Sequence, residues 1–209
     1  MNKNIGHFEK ILAVDCETTG LCFNSNDPVT DGKERHQSLS WGALIVDADT
    51  LKVEDELYVE IKWNEESYIQ RYKDPKFGIG AEKVHGMTES YLAQNGVDEE
   101  EAVQQLGTLI CENLDIKKRI RLLGHNVVFD SYFLHDLFHR HGIDLLFGTK
   151  FIDTSSIAYA TMGIFNSDAM FDALGMQERG AHNALEDIKM TLETVKMIRG
   201  LWQYGVGIP

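Results

Sequence analysis

The sequence predicts an α/β fold, a mixed sheet with helices packed against it, and three observations carry that expectation. Ile11-Leu12-Ala13-Val14 is a short, wholly apolar run of the kind that makes a buried strand. Val53, Leu57, Val59 and Ile61 alternate with Glu54, Glu56, Tyr58 and Glu60, the period-two pattern of an antiparallel strand wet on one face. Later in the chain, helical stripes alternate with two further short strands, an order that packs helices onto a mixed sheet. At 209 residues, 43% hydrophobic and 25% charged, the chain is long enough for one substantial core. With no linker, repeat or low-complexity tract, residues 1–209 are expected to form a single domain.

Residues 1–9 are a short polar lead, and the first strand is expected over 10–17. Side chains alternate along a strand, so Asp15 and Glu17 share one face and Cys16 takes the other. Thr18-Thr19-Gly20 breaks the strand, and residues 21–37 make a long irregular loop with two turn-forming clusters, 24–28 and 30–33. Loops of that length are often functional. Ser38 to Asp47 reads as the second strand, and Asp47-Ala48-Asp49-Thr50 turns the chain into the third. Residues 63–80 lack a clean period and read as loop with some helix. Thr88 is placed to cap a short helix in which Tyr91 and Leu92 pack inward. Asp98 is placed to cap a longer one, striped by Val103, Leu106, Leu109 and Ile110. Arg121-Leu122-Leu123-Gly124 is a short strand, followed by a helix from Val127 to His141 that buries Phe133, Leu134, Leu137 and Phe138. Phe151-Ile152-Asp153-Thr154 is a strand turning into a helix at Ser155. The last long helix is expected from near His182, with the stripe Ala181, Leu185, Ile188, Leu192 and Val195.

Composition narrows the function classes. The chain carries 33 acidic residues against 20 basic ones, a net charge of −13. Proteins that grip long duplex through its phosphates are usually basic, so charge alone favours a chain that binds no nucleic acid, the alternative being a short end held through metal ions and local contacts. No stretch has the length of a membrane span, and Met1-Asn2-Lys3-Asn4 leads into no apolar signal region. Cys16, Cys22 and Cys111 are spaced for neither a disulfide framework nor a zinc ribbon. Free thiols without an export signal point to the cytoplasm.

The chemistry concentrates on carboxylates. Asp15 and Glu17, side by side at the end of a buried strand, repel each other unless a cation lies between them. Carboxylates alone suit Mg²⁺ or Mn²⁺ better than zinc. Asp130 opens the helix after Gly124-His125-Asn126, and Asp187 lies about one turn into the final helix. A strand end and two helix openings can converge at one edge of a sheet. Each acid alone also has a plain structural account, as a solvated strand end, a helix cap or an exposed helix acid. His182 and Asp187 are five positions apart and share no helical face, which assigns His182 to the preceding loop.

Five segments, in order, resemble the DnaQ-like, DEDDh-type 3′–5′ exonuclease superfamily, which includes the proofreading subunit of bacterial replicases, RNase T and oligoribonuclease. They are Val14-Asp15-Cys16-Glu17-Thr18-Thr19-Gly20-Leu21, Val84-His85-Gly86-Met87-Thr88, Leu123-Gly124-His125-Asn126-Val127-Val128-Phe129-Asp130, Phe151-Ile152-Asp153-Thr154 and Ala181-His182-Asn183-Ala184-Leu185-Glu186-Asp187. The resemblance implies a ribonuclease H-like core, a five-stranded mixed sheet whose first three strands are antiparallel, flanked by helices. Two departures bear on substrate preference: the long 21–37 loop, and Ser40-Trp41 before Gly42-Ala43 where many members carry an acidic-apolar pair.

By that resemblance Asp15 bridges two Mg²⁺ ions, Glu17 and Asp187 hold the first, and Asp130 holds the second, with Mn²⁺ able to substitute. His182 is the general base, and Thr18, Leu21, Asn126, Phe129 and His85 are the candidate substrate contacts. The implied activity releases nucleoside 5′-monophosphates from the 3′ end of single-stranded nucleic acid, DNA favoured. An RNA-directed exoribonuclease like oligoribonuclease or RNase T is the alternative, and a non-catalytic nucleic-acid or polymerase-binding module would have lost one of the five residues. A polymerase or a second copy of the chain as partner is left open by the sequence.

Overall fold

The structure, a computed structural model, describes residues 9–20, 36–64, 78–176 and 181–203. The expectations for Leu21, for the loop over 21–35 and for 65–77 lie outside these residues. Strands β1 (Lys10–Thr18), β2 (Ser38–Asp47) and β3 (Val53–Glu60) form an antiparallel meander. Strands β4 (Leu122–Gly124) and β5 (Ile152–Asp153) extend the sheet in parallel on the other side of β1. The order β3-β2-β1-β4-β5 is the ribonuclease H-like sheet expected above.

Helices cover both faces, which is why β1 and β2 are buried almost throughout. On one face Leu12, Val14 and Cys16 join Trp41, Ala43 and Ile45 against α3 (Glu99–Asn113) and α4 (Val127–Arg140), through Leu106, Ile110, Leu134 and Phe138. On the other, Ile11, Ala13, Leu44 and Val46 meet Ile188, Leu192 and Val195 of α7 (Ala184–Gln203). Each of the larger aliphatic and aromatic side chains contributes about 1.5–3 kcal/mol on burial, and they grip the sheet from both sides. The alternation read from the sequence holds, since odd positions of β1 face α7 and even positions face α3 and α4.

Four expectations need correction. The β3 alternation is broken, because pairing with β2 slips between Ile45 and Val46 and opposes Val53 to Val46; Val53 therefore packs with the α7-side core while Leu57 and Val59 pack on the other face. In α2 (Glu89–Asn95), Thr88 Oγ1 accepts from Tyr91 N as expected and Leu92 is buried, but Tyr91 is exposed and bonds Glu60 through its hydroxyl. Asp98 stands at the α3 N-cap without a side-chain cap bond, its carboxylate bonding Lys62 Nζ at 3.1 Å. The final helix starts at Ala184, not near His182, and Ala181 is exposed outside it, because the Asn183 side chain accepts from the Leu185 and Glu186 amides and caps the helix there. Three further helices complete the described fold: α1 (Gly78–His85), α5 (Thr154–Met162), and α6 (Ser167–Ala173), which the sequence reading lacks.

Candidate active site

The site is built at the C-terminal end of β1, where each neighbouring element stops. Strand β4 pairs with β1 only at Leu12 and Ala13. Leu12 N–H points to that side, bonding Arg121 O, so by alternation the Cys16 N–H also points there with no strand left to receive it. Asp130, in the first turn of α4, supplies the acceptor: its Oδ1 takes the Cys16 N–H at 2.9 Å. That bond carries the Asp130 carboxyl to the strand end while burying it. Burial pushes its pKa up to about 8, with the Glu17 charge adding to the rise and the Cys16 hydrogen bonds opposing it. The Cys16 thiol is raised as well, by burial first and then by the Asp130 and Asp15 charges. Its side chain packs in the core on the α3 and α4 face of the sheet.

Helix α7 approaches from the other face. Asp15 is paired with Gly42 of β2, and a Cβ at Gly42 would lie 2.3 Å from the Ala184 carbonyl group. The missing side chain is what lets the start of α7 rest on the sheet, and it brings Asp187 beside β1. His182 precedes the capping Asn183, and its N–H donates to Val84 O at 3.0 Å, tying the loop to the end of α1. Folded back this way, His182 Nδ1 lies 3.4 Å from Asp187 Oδ2 and 3.9 Å from Glu17 Oε1. Glu17, His182 and Asp187 each offer a ligand atom, all within 4.8 Å of one another. Two largely buried carboxylates and an imidazole are a donor set that fits a divalent cation. Asp15 and Asp130 lie outside that trio and line the same cleft of about 940 Å³.

The other predicted residues divide. Thr18, His85, Asn126 and Phe129 all line the cleft, and Leu21 is outside the described residues. Thr18 is buried and donates its hydroxyl to Gly20 O at 2.8 Å, which fixes the turn after β1. His85 Nδ1 accepts from Met87 N at 3.0 Å, so its proton sits on Nε2. Burial, helped by the nearby His182, lowers its pKa to about 4, against an opposing interaction with the Thr18 backbone. His85 thus faces the cleft as a neutral ring. Asn126 adopts a left-handed conformation at φ 56° as the N-cap of α4, a geometry Asn tolerates better than most residues.

Two residues without an assigned role in the sequence prove to build the site. Asp153 Oδ1 accepts from Asn126 N, Ser155 N and Ser155 Oγ at 2.9, 3.0 and 2.8 Å, holding the turn that leads to Asp130. Gly42 is the second. Asp153 lies in a family-like segment and Gly42 beside a departure from the family pattern, but a cap and a close approach are set by partners far along the chain.

Comparison with known proteins gives the family and the fold. A family model described as Exonuclease (RNase T) matches residues 12–195. No curated protein matches. Among solved structures, the zinc-bound form of Escherichia coli exonuclease I with single-stranded DNA superposes with a TM-score of 0.68 at 18% identity, over 95% of this chain and 43% of that one. The same enzyme with a dT13 oligonucleotide gives 0.68 at 18%, over 94% and 43%. The nuclease domain of 3′hExo, a DEDDh family member bound to rAMP, gives 0.66 at 16%, over 98% and 96%. The chain therefore spans less than half the length of the exonuclease I chains and nearly all of that nuclease domain.

Proposed function

We propose, from the premise that this chain belongs to the RNase T exonuclease family, the DnaQ-like enzymes of DEDDh type, that it is a 3′–5′ exonuclease acting on single-stranded nucleic acid, DNA favoured. The observation that carries the reading is that Asp15, Glu17, Asp130, His182 and Asp187 all line one cleft. A non-catalytic relative would lack one of the five.

The family depends on divalent metal, and in this reading Asp15, Glu17, Asp187 and Asp130 hold two Mg²⁺ ions. Two such ions stabilise the attacking and leaving oxygens of an in-line displacement at phosphorus. His182 takes the proton from the attacking water, a task suited to a side chain that titrates near neutrality. Asp187 beside its Nδ1 orients the ring. Thr18, Phe129 and the neutral His85 hold the terminal nucleotide, the last as a donor through Nε2 rather than as a cation. Asn126 presents the start of α4, where helix N–H groups favour phosphate oxygens. The acidic surface opposes long duplex and leaves a single-stranded end as the substrate.

A second reading, an exoribonuclease, is favoured by one observation: the chain covers 96% of a nuclease domain whose structure holds rAMP. End-labelled single-stranded DNA, RNA, duplex and a circular single strand, each incubated with Mg²⁺, separate these readings. The proposal expects stepwise release of 5′-monophosphates from the free 3′ end. Cleavage of the circle at a comparable rate means an endonuclease and overturns it.

A further inference from the structure

We propose that Tyr159 and Phe165 form a base-stacking platform on the rim of the cleft, which takes an unpaired base two or more positions upstream of the nucleotide being released, beyond the reach of a dinucleotide. This rests on the exonuclease reading and adds a subsite to it. Phe165 is 64% exposed and Tyr159 55%, and their rings stack at 4.2 Å between centroids and 12° between planes. Tyr159 covers one face of Phe165, and Phe165 lines the cleft that also holds Asp15, Glu17 and Asp187.

The loop that presents Phe165 is held on every side. Helix α5 ends at Gly163, left-handed at φ 72°, whose N–H donates to Tyr159 O. Helix α6 begins behind Asn166, whose Oδ1 accepts from Ala169 N at 3.0 Å. Between them, His125 Nε2 donates to the Phe165 carbonyl at 2.8 Å. A large apolar ring fixed in solvent by two caps and a side-chain clamp has little packing to account for it, and pre-ordering of this kind lowers the cost of binding.

Position selects the occupant. Thr18, Ala81, Val84 and His85 line the cleft together with the carboxylates, and so do His125, Asn126, Ser155 and Phe165, the last tied to His125. A strand whose terminal nucleotide sits against Thr18 and His85, with its scissile phosphate over the carboxylates, runs out across Phe165. With a net charge of −13 the chain is poorly suited to holding that strand by phosphate contacts alone. Base–aromatic stacking needs no basic groove and tolerates any sequence.

The test compares wild type, Phe165→Ala and Phe165→Trp on a single-stranded dinucleotide and octanucleotide with Mg²⁺. Phe165→Ala should raise KM for the octanucleotide roughly 5- to 100-fold, leave kcat/KM for the dinucleotide unchanged, and be rescued by Phe165→Trp. Equal effects at both lengths, or none, overturn the platform. A second readout needs no turnover: octanucleotides carrying 2-aminopurine at successive positions, bound with Ca²⁺ in place of Mg²⁺. Quenching at an internal position that disappears in Phe165→Ala supports the platform, and quenching indifferent to Phe165 overturns it. A protein that quenches in this way without cutting retains the platform and sinks the nuclease reading; one that cuts without any Phe165 dependence does the reverse.

Discussion

Asp15 and Glu17 point to the same side of β1, and Asp187 joins Glu17 beside His182. Crowded carboxylates stabilise a bound cation at the expense of the empty fold. Asp15→Ala should therefore abolish Mg²⁺-dependent turnover while leaving the thermal midpoint unchanged or slightly higher; a variant that keeps substantial activity removes Asp15 from the site. His182 asks a sharper question, because its Nδ1 belongs to the same trio of ligand atoms as Glu17 and Asp187. As general base, its loss should cost about 10²–10⁴-fold in rate, abolish the ascending limb of the pH–rate profile, and leave Mn²⁺ affinity nearly intact. An Mn²⁺ titration of His182→Ala in which affinity collapses with activity makes His182 a ligand instead. The acids and the histidine are legible in the sequence through the ordered segments that resemble the family, since each acid alone, at a strand end or a helix opening, has a plain structural account. Phe165 is not, since an isolated exposed aromatic has no period and its meaning comes from the cleft it borders.

At the scale of elements, the docking of α7 on the sheet decides whether Asp187 reaches β1. Gly42→Ala places a methyl group 2.3 Å from the Ala184 backbone, where neither strand nor helix is free to yield. The variant should lose about 1–3 kcal/mol in a urea titration and bind Mn²⁺ more weakly, because the first turn of α7 must retreat. Unchanged stability and affinity together would show that the helix start tolerates the displacement. Helices α3 and α4 can be read from the sequence since their apolar stripes persist over several turns. The short α6 cannot, and the start of α7 is misread because the apolar Ala181 fits the helical period while the cap at Asn183 interrupts it. The slip between β2 and β3 is likewise invisible locally: Val53 fits the sequence period of Leu57 and Val59, and only the pairing with β2 shows that it changes face.

For the molecule as a whole, His85 links stability to acidity. Its folded pKa is near 4, against about 6.5 for a free histidine. Between these values the unfolded chain binds the extra proton, so stability falls as pH drops from about 6.5 toward 4. The loss from this residue is bounded at about 3 kcal/mol. The change in urea midpoint between pH 7 and pH 4.5 should differ between wild type and His85→Gln, the variant losing less or gaining more on acidification; an equal change in both assigns the acid sensitivity to other groups.

The two halves of the candidate cation site come from β1 and α7, close to opposite ends of the described chain. A polypeptide emerging from the ribosome makes Asp15 and Glu17 early and His182 and Asp187 late. Until α7 is released and settles on the sheet, the nascent chain has neither a complete site nor a cover for Ile11, Leu44 and Val46. On the proposed site, nuclease competence and burial of that face are acquired in one late step, and a chain stalled before Ala184 leaves that apolar face of the sheet uncovered. Cells that degrade stalled products would meet this one as exposed apolar sheet, never as a half-active enzyme.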